Sequence, residues 1–217
     1  IPTRNWGGVS LTLILTFCSA AIALPLGIML ALGRRSDLKL INSTCGIYID
    51  TMRAVPLISI LFFGQLLIPL FLPMDFEINR FIRAVCAFGL FSSAYVAEDI
   101  RGGLQAIPTT QYEAAMVLGL NSKQTFQLII LPQALKIALP ALTNTAIGLL
   151  QNTSLMAILG MVELLGVSRS ILANPEFIGR YLEVYIWLAA VYWFICTVMA
   201  LLSRQMERQL NPINPIN

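Results

Sequence analysis

Five long stretches of this sequence carry no charged residue. A helix needs about 20 mainly apolar residues to cross the hydrocarbon core of a bilayer, which is about 30 Å thick. Each stretch is therefore a candidate for one crossing. The residues that bound the five stretches are Arg4 and Arg34, Arg53 and Asp75, Arg83 and Glu98, Lys136 and Glu163, and Glu183 and Arg204. We expect an all-α membrane protein with about five transmembrane helices.

The overall composition supports a membrane protein. Of the 217 residues, 57% are hydrophobic and 12% are charged, and the mean hydropathy is +0.77. This composition leaves too little polar surface for an ordinary soluble domain. The net charge of +3 is spread along the chain without a basic cluster, which sets aside a nucleic-acid-binding function.

Residues that commonly carry catalysis or bind metals form no recognisable pattern. The chain has no histidine, no GxxxxGKS/T phosphate-binding loop and no Ser, Cys or paired-carboxylate arrangement of catalytic spacing. Cys18, Cys45, Cys86 and Cys196 form no CxxC pair, so we interpret them as small buried apolar residues. We expect neither an enzyme nor a metal site in this chain.

The third stretch is too short for a full crossing. It becomes long enough if the helix continues through Glu98, Asp99 and Arg101, with those charges buried in protein; the alternative is a re-entrant element. We favour the full crossing. In the first stretch, Pro25 and Gly27 are expected to kink the helix.

A ridge of small residues runs along the first helix at spacings of three and four. Such a ridge allows another helix to pack closely, and we interpret it as ordinary packing within one subunit. The ridge consists of Thr12, Thr16, Ser19, Ala23 and Gly27.

Basic residues are biased toward one side of the predicted helices. If the N-terminus is outside, the inner flanks hold Arg34, Arg35, Lys39, Arg53, Arg101, Lys123, Lys136, Arg204 and Arg208, and the outer flanks hold Arg4, Arg80, Arg83, Arg169 and Arg180. Cytoplasmic flanks are enriched in Lys and Arg, so we predict an outside N-terminus and a cytoplasmic C-terminus. Trp6 and Trp187 suit the outer interface.

The polar stretch "QYEAAMVLGLNSKQTFQLIILP", residues 111–132, interrupts the apolar sequence on the predicted cytoplasmic side. Thr110 with Glu113 predicts a capping box that starts a short helix, and Gly119 predicts its end. Asn121 with Gln124 predicts the cap of a second helix.

A helix this short is marginal in water, so it needs a surface to pack against. Ala114 and Ala115 leave one side of this helix without bulky side chains, while Met116 and Leu118 offer apolar contact. The alternative is an amphipathic connector on the membrane surface. Lys123 is the only basic residue near its polar face, which favours docking to another protein.

This stretch resembles the EAA loop of ATP-binding-cassette (ABC) importer permeases. The family pattern is EAA, three residues, Gly, nine residues, Ile, one residue and Leu-Pro, and it is matched by Glu113-Ala114-Ala115, Gly119, Ile129 and Leu131-Pro132. The resemblance implies a coupling helix that sits in a cleft of a cytoplasmic ATPase subunit. The implied coupling residues are Glu113, Ala114, Ala115, Met116, Gly119 and Leu120.

The resemblance extends to the polar amino acid permeases, and most closely to the general L-amino acid type. "MRAVPL" is similar to the family's R-G-x-P-L segment, "AYVAEDIRGG" to A-Y-x-A-E-x-x-R-G-G, and "QNTSL" to K-D-T-S-L, with Gln151 and Asn152 replacing the usual Lys-Asp. The implied structural-motif residues are Arg53, Pro56, Glu98, Arg101 and Pro132.

The resemblance implies the type I ABC importer permease fold and a permease subunit that moves polar amino acids inward by alternating access. Its implied partners are two copies of an ATPase subunit holding ATP and Mg, a second permease subunit with a heterodimer favoured, and an extracytoplasmic amino acid-binding protein. The implied location is the bacterial inner membrane. We assign residues 1–210 to the permease domain, with a coupling loop at about 102–132, and residues 211–217 to a flexible tail.

Candidates for the substrate path lie on two helix faces and in the QNTSL segment. Substrate contact and interhelical hydrogen bonding both explain these polar residues. The candidates are Ser92, Tyr95, Asn144, Gln151, Asn152, Thr153 and Ser154. Glu98, Asp99 and Arg101 are equally able to form an internal ion pair, and Glu163 is expected to be solvated on an outer loop.

Three other functions remain open from the sequence. The chain could be a permease of the same class for another small solute, or an ion-driven amino acid carrier that needs no ATPase. It could also be a membrane-embedded enzyme or anchor without ATP-dependent uptake. Loss of transport on substitution of Glu113 separates the first possibility from the other two.

Overall fold

The computed structural model describes residues 7–71, 73 and 78–210. Within these ranges the chain is helical, and the one piece of β-type pairing is an isolated bridge between Gly8 and Glu163. The α-helices are α1 Gly8–Gly33, α2 Lys39–Ala54, α3 Leu57–Phe62, α4 Arg80–Gln105, α5 Thr109–Val117, α6 Ser122–Thr125, α7 Leu131–Asn152, α8 Leu164–Leu172 and α9 Tyr181–Leu210. Arg4, Trp6, Asp75 and the expected tail 211–217 lie outside the described residues.

Four helical segments in the described ranges are long and apolar enough to cross a membrane: Gly8–Gly33, Arg80–Gln105, Ser122–Ala157 and Tyr181–Leu210. A fifth crossing requires two helices together, Lys39–Ala54 and Leu57–Phe71, which meet at an angle of 102°. The all-α class with four to five crossings is therefore confirmed.

The bend in the second crossing lies at Pro56, inside the segment that the sequence pattern treats as one crossing. Val55 is extended, with φ −92° and ψ 135°. Proline disfavours helical geometry in the residue before it and lacks an N–H group, so the helix ends there. Counted as one span, the bent pair begins earlier in the sequence than the charge-free stretch, at Lys39.

The third crossing is confirmed as a full one. Helix α4 continues through Glu98, Asp99 and Arg101 to Gln105, and the Glu98 side chain is 14% exposed. The charges are tolerated because they meet partners inside the protein.

Helices α1 and α4 form the closest packed pair. The predicted ridge on α1 is confirmed, since Thr12, Thr16, Ser19, Ala23 and Gly27 are all buried. A Cβ atom on Gly27 would lie 2.5 Å from Cγ1 of Val96, and one on Gly89 would lie 2.9 Å from Cβ of Ile22. The absence of side chains at these glycines allows the two backbones to approach.

The helices define two ends of the bundle. The start of α1 lies beside α8, where the Gly8 N–H donates to the Val162 carbonyl at 3.0 Å. At the opposite end, Gly103 of α4 packs against Ala134 of α7, just before α5 follows in the chain. We call these the α8 end and the α5 end. Helices α1, α4 and α9 run from the α8 end to the α5 end, and α7 returns.

The buried core consists of two clusters along this axis. One, nearer the α8 end, is built around Leu15, Leu61 and Phe88. The other, nearer the α5 end, includes Ile100 and Ile130. Both contain residues of α4, so α4 is the central helix of the bundle.

The predicted cap of α5 is wrong. The helix begins at Thr109 with Pro108 at the N-cap position, and the Thr110 side chain makes no cap bond. Pro108, with φ −62° and ψ 145°, already has the geometry that starts a helix, and its carbonyl accepts from the Gln111 N–H at 3.1 Å. Thr110 therefore falls inside the first turn.

The other two signals in the polar stretch are confirmed. Gly119 has φ +76°, and α5 ends with bonds from the Gly119 N–H to the Met116 carbonyl and from the Leu120 N–H to the Ala115 carbonyl. At α6, Asn121 Oδ1 accepts from the Gln124 N–H at 2.9 Å, and Gln124 Oε1 accepts from the Asn121 N–H at 3.0 Å.

Two further expectations concern prolines and cysteines. Helix α1 is unbroken through Pro25, and a π turn at Phe126–Ile130 precedes Pro132 in α7. The prediction of buried cysteines is wrong, because Cys86 is exposed and the other three are only half-buried. In a membrane protein, apolar helix faces can remain on the surface, so an apolar run does not imply burial.

Candidate functional site

Helix α5 presents an apolar surface at one end of the bundle. Met116, Val117 and Leu118 are 68%, 88% and 75% exposed, and Glu113 and Ala114 beside them are also exposed. Exposed apolar groups that follow one another on a short helix are typical of a contact with another molecule. The candidate coupling residues thus lie mainly on this free surface.

The opposite side of α5 is attached to the bundle. Ala115 is fully buried, and Tyr112 packs against the cluster that contains Ile130 and Ala134. The Gln133 side-chain amide donates to Gln111 Oε1 at 3.2 Å, which joins α5 to α7. A force on α5 would reach α7 through these contacts, and α4 through the short connection at residues 106–108.

A cluster of charged residues lies near the α5 end. Glu98 Oε1 accepts from Arg101 Nε at 3.0 Å, and Glu98 Oε2 accepts from Arg101 Nη2 at 2.6 Å. The same carboxylate contacts Arg34 at 3.1 Å and Arg53 at 3.3 Å. Arg34 also contacts Asp50 at 3.1 Å. One carboxylate therefore links α2, α4 and the end of α1.

The predicted internal ion pair is confirmed for Glu98 and Arg101. Asp99 makes a hydrogen bond to another helix instead. The Asp99 carboxylate accepts from the Thr145 hydroxyl at 2.6 Å, which joins α4 to α7. The Arg53 guanidinium lies 5.8 Å from the ring centroid of Tyr95, a cation–π distance. Arg34 bounds the first charge-free stretch, but the sequence did not predict that it would pair with Glu98.

The substrate-path candidates on α4 are Ser92 and Tyr95. Ser92 is buried and lines an apolar groove of about 330 Å³ between α1, α4 and α7. Tyr95 packs against Phe91 at 5.0 Å between ring centroids. Within the described part of the chain, no hydrogen bond joins Ser92 or Tyr95 to the candidates on α7.

Two further candidates, Thr153 and Ser154, lie in the 3-10 helix that follows α7 and donate to the backbone before them. The buried Thr153 hydroxyl donates to the Leu150 carbonyl at 2.7 Å, and the Ser154 hydroxyl donates to the Gln151 carbonyl at 2.8 Å. The Gln151 amide lies 3.8 Å from the Cys196 sulfur. Asn144 and Gln151 are exposed and Asn152 is half-buried, so these amides face outward from this chain.

The prediction that Glu163 is solvated is wrong. This residue lies at the α8 end. Its exposed fraction is 0%, and its carboxylate accepts from the N–H groups of Leu165 and Gly166, both at 2.9 Å. The Tyr192 hydroxyl donates to it at 3.3 Å. The residue is buried because it caps α8, and α9 packs over the cap.

The environment of Glu163 sets its ionisation. It lies outside the candidate membrane spans. Burial raises the pKa of the Glu163 carboxyl, and the bonds from the Leu165 and Gly166 amides and from Tyr192 lower it only in part. The Thr12 hydroxyl oxygen accepts from the Leu164 N–H at 3.2 Å, so the start of α8 is bonded to α1 as well as to α9. The sequence did not reveal the burial of Glu163 because its partner Tyr192 is distant in the chain.

The chain is similar to known transport proteins in both sequence and structure. A family model described as "binding-protein-dependent transport system inner membrane component" matches residues 23–212. The chain is 44% identical over 97% of its length to the inner membrane amino-acid ABC transporter permease protein YhdY of Escherichia coli. It is 40% identical over 97% of its length to the glutamate/glutamine/aspartate/asparagine transport system permease protein BztC of Rhodobacter capsulatus.

The length of the match differs between relatives. The chain covers 58% of YhdY and 49% of BztC, so it spans about half the length of these relatives. It matches a solved structure, described as an amino acid ABC transporter with histidines, with a TM-score of 0.83 and 34% identity. That match covers 93% of this chain and 92% of the other.

Proposed function

Because the chain belongs to the family of binding-protein-dependent transport system inner membrane components, with the type I ABC importer permease fold, we propose that it is the transmembrane unit of an ATP-driven importer of polar amino acids. The observation that carries the proposal is the exposed α5 helix with its Glu-Ala-Ala-x-x-x-Gly pattern. The names of its relatives support amino acids as the transported class.

In this proposal α5 is a coupling helix on the cytoplasmic side. An ATPase subunit, which holds ATP and Mg²⁺, receives the surface made by Glu113, Ala114, Met116 and Leu118. Gly119 and Leu120 close the helix and fix its direction. When two ATPase subunits close on ATP, the displacement of α5 passes to α4 and α7, and the bundle changes between inward-open and outward-open states.

The substrate path in this proposal needs a second permease unit, with a heterodimer favoured. Asn144 and Gln151 are exposed on α7, and polar groups at membrane depth need a partner or water. A second unit facing α7 would enclose a polar cavity between the two chains. Candidate residues for its wall are Ser92, Tyr95, Asn144, Gln151, Asn152, Thr153 and Ser154. An extracytoplasmic binding protein would deliver the amino acid from the α8 end.

Reconstitution in proteoliposomes tests the coupling role. The chain, a candidate ATPase subunit, a second permease unit and a binding protein are combined, and ATP-driven uptake of labelled amino acid is measured. Glu113→Lys reverses a charge on the docking surface, and Gly119→Val strains a residue with φ +76°. We expect both to abolish ATP-driven uptake in a folded complex.

The matched control is Lys123→Gln, an exposed residue on the next helix, which should leave uptake unchanged. Normal ATP-driven uptake by both the Glu113 and the Gly119 variants would contradict the proposal. Uptake that follows a proton or sodium gradient and needs no ATPase subunit would favour an ion-driven carrier.

A second measurement addresses the substrate path. Gln151→Ala removes an exposed amide from α7, and we expect it to change the uptake KM while the ATPase subunit still binds the complex. Lys136→Gln on the same helix is the control. Unchanged uptake kinetics would assign Gln151 a packing role, and screening amino acids for stimulation of ATP hydrolysis would identify the substrate.

A further inference from the structure

A groove of about 390 Å³ lies between α8 and α9, at the α8 end of the bundle. Six of its lining residues are aliphatic. On one side they comprise Leu164, Val167 and Ile171, and on the other Val184, Leu188 and Val191. Because α9 is a candidate membrane span that begins at Tyr181, the groove runs along its first turns toward the apolar layer.

Two charged side chains of opposite sign line the same groove. Arg180 and Glu183 are three residues apart at the start of α9, and both are exposed. In the part of the chain that the structure describes, neither forms an ion pair, either with the other or with a third residue. A cation and an anion thus flank the start of an apolar groove without neutralising each other.

Trp187 indicates how deep the groove lies in the membrane. It lines the groove one turn beyond Glu183 and is exposed. Tryptophan is enriched where a membrane meets water, because its ring is apolar and its N–H group is polar. Arg180 and Glu183 then lie at headgroup level, and the aliphatic walls lie at the level of the acyl chains.

We propose that this groove binds one phospholipid with a zwitterionic headgroup. Arg180 contacts the phosphate, as guanidinium groups do through charge-assisted hydrogen bonds, and Glu183 contacts the ammonium group. One acyl chain lies between Leu164 and Leu188, where it covers aliphatic surface of both helices. A net-anionic headgroup without a cation would satisfy Arg180 but would be repelled by Glu183.

The lipid would have a structural consequence for α8. That helix is held to α1 through Gly8 and Val162, and to α9 through the contact of Glu163 with Tyr192. An acyl chain seated in the groove fills the space between α8 and α9. Lipid binding in this groove does not depend on transport activity.

Native mass spectrometry of the purified full chain in detergent tests the proposal. The probes are dioleoyl phosphatidylethanolamine and dioleoyl phosphatidylglycerol, added separately at equal concentrations. We expect one retained phosphatidylethanolamine, and about tenfold weaker retention in Arg180→Gln and in Glu183→Gln, the factor that corresponds to one lost hydrogen bond to a charged group. Phosphatidylglycerol should gain, not lose, affinity in Glu183→Gln.

Matched controls at the same end are Arg169→Gln and Glu176→Gln, which remove exposed charges outside the groove and should retain the lipid as the unchanged chain does. Leu188→Trp fills the aliphatic part and should lose the lipid with both charges present. Equal retention in all variants would overturn the proposal, as would equal binding of both probes. Crosslinks from Trp187 to a second copy of the chain in a lipid bilayer would also overturn it.

Discussion

Two carboxylates hold the two ends of this bundle in different ways. Glu98, near the α5 end, keeps 14% of its side chain exposed and is surrounded by the guanidinium groups of three arginines. Glu163, at the α8 end, is fully buried and is held by two backbone amides and one tyrosine hydroxyl. Each connects elements that are distant in the sequence.

The difference lies in how each end tolerates movement. Arginine side chains are long and offer five donors each, so the Glu98 cluster can exchange partners while helices shift. The Glu163 bonds depend on the first-turn amides of one helix, which point in a fixed direction. We infer that the α5 end is built to move and the α8 end to keep its register.

The largest expected effect comes from Glu98→Ala. It leaves Arg34, Arg53 and Arg101 facing one another without a carboxylate between them. Removing one partner of a buried ion pair costs about 3 to 5 kcal/mol, and partial exposure of the arginines places this case near about 3 kcal/mol. The free energy of unfolding, measured by denaturation in mixed micelles, should fall by that amount.

Asp50→Ala is the matched control for that measurement, since Asp50 also pairs with Arg34 but is exposed. An exposed pair contributes about 1 kcal/mol or less. Equal losses from the two variants would show that Glu98 is no more important than a surface charge, and the contrast between the two ends would fail.

Glu163→Ala should have the next largest effect. It removes the cap of α8 and leaves the Leu165 and Gly166 amides without acceptors. Loss of a capping side chain costs up to about 2 kcal/mol, so we expect a fall of about 2 kcal/mol in the free energy of unfolding.

Hydrogen exchange at the α8 amides should increase in the same variant and remain unchanged in α5. Glu176→Ala, at an exposed position of the same end, is the control. An increase spread over the whole chain would mean that Glu163 supports global stability instead of the register of α8.

Asn121→Ala tests a cap at the opposite end and should cost less. Asn121 caps α6 with the same kind of bond, but it is exposed, so water can replace the lost acceptor. We expect a fall of about 1 kcal/mol or less, within the lower range for capping residues. A loss as large as that of Glu163→Ala would show that burial does not distinguish the two caps. Lys123→Ala is the control for helix α6.

The smallest expected effect is a pH dependence that belongs to Glu163 alone. Burial raises the pKa of this carboxyl in the folded protein above its ordinary value of 4.5. The folded state therefore holds the proton more tightly than the unfolded state, so this group's contribution to stability is present at low pH and is lost as pH rises through the folded pKa. Glu163→Gln should remove that part of the pH profile of unfolding, and an identical profile in the variant would contradict the assignment.

Features set by local sequence were predictable. Membrane helices follow from the length of charge-free stretches, because the bilayer excludes charge over a fixed thickness. Gly119 and the pair Asn121 and Gln124 were recognisable because their bonds join residues near in the chain. The prediction that Thr110 caps α5 was wrong because Pro108, two residues earlier, already starts the helix.

Features set by distant contacts were not predictable. The burial of Glu163 depends on Tyr192 and Thr12, and the partners of Glu98 include Arg34, 64 residues away. No residue pattern near either carboxylate reveals which side chains of other helices will reach it. The position of Ser92 in an apolar groove likewise depends on how α1, α4 and α7 assemble.

The common direction of α1, α4 and α9 has an electrostatic consequence. Peptide dipoles align along a helix and give its C-terminal end a partial negative charge. Three long helices that point the same way therefore gather like partial charges at one face of the membrane. Arg34 at the end of α1 and Arg208 in the last turn of α9 supply positive charge there, so the arginines compensate the field of the backbone as well as the charge of a side chain.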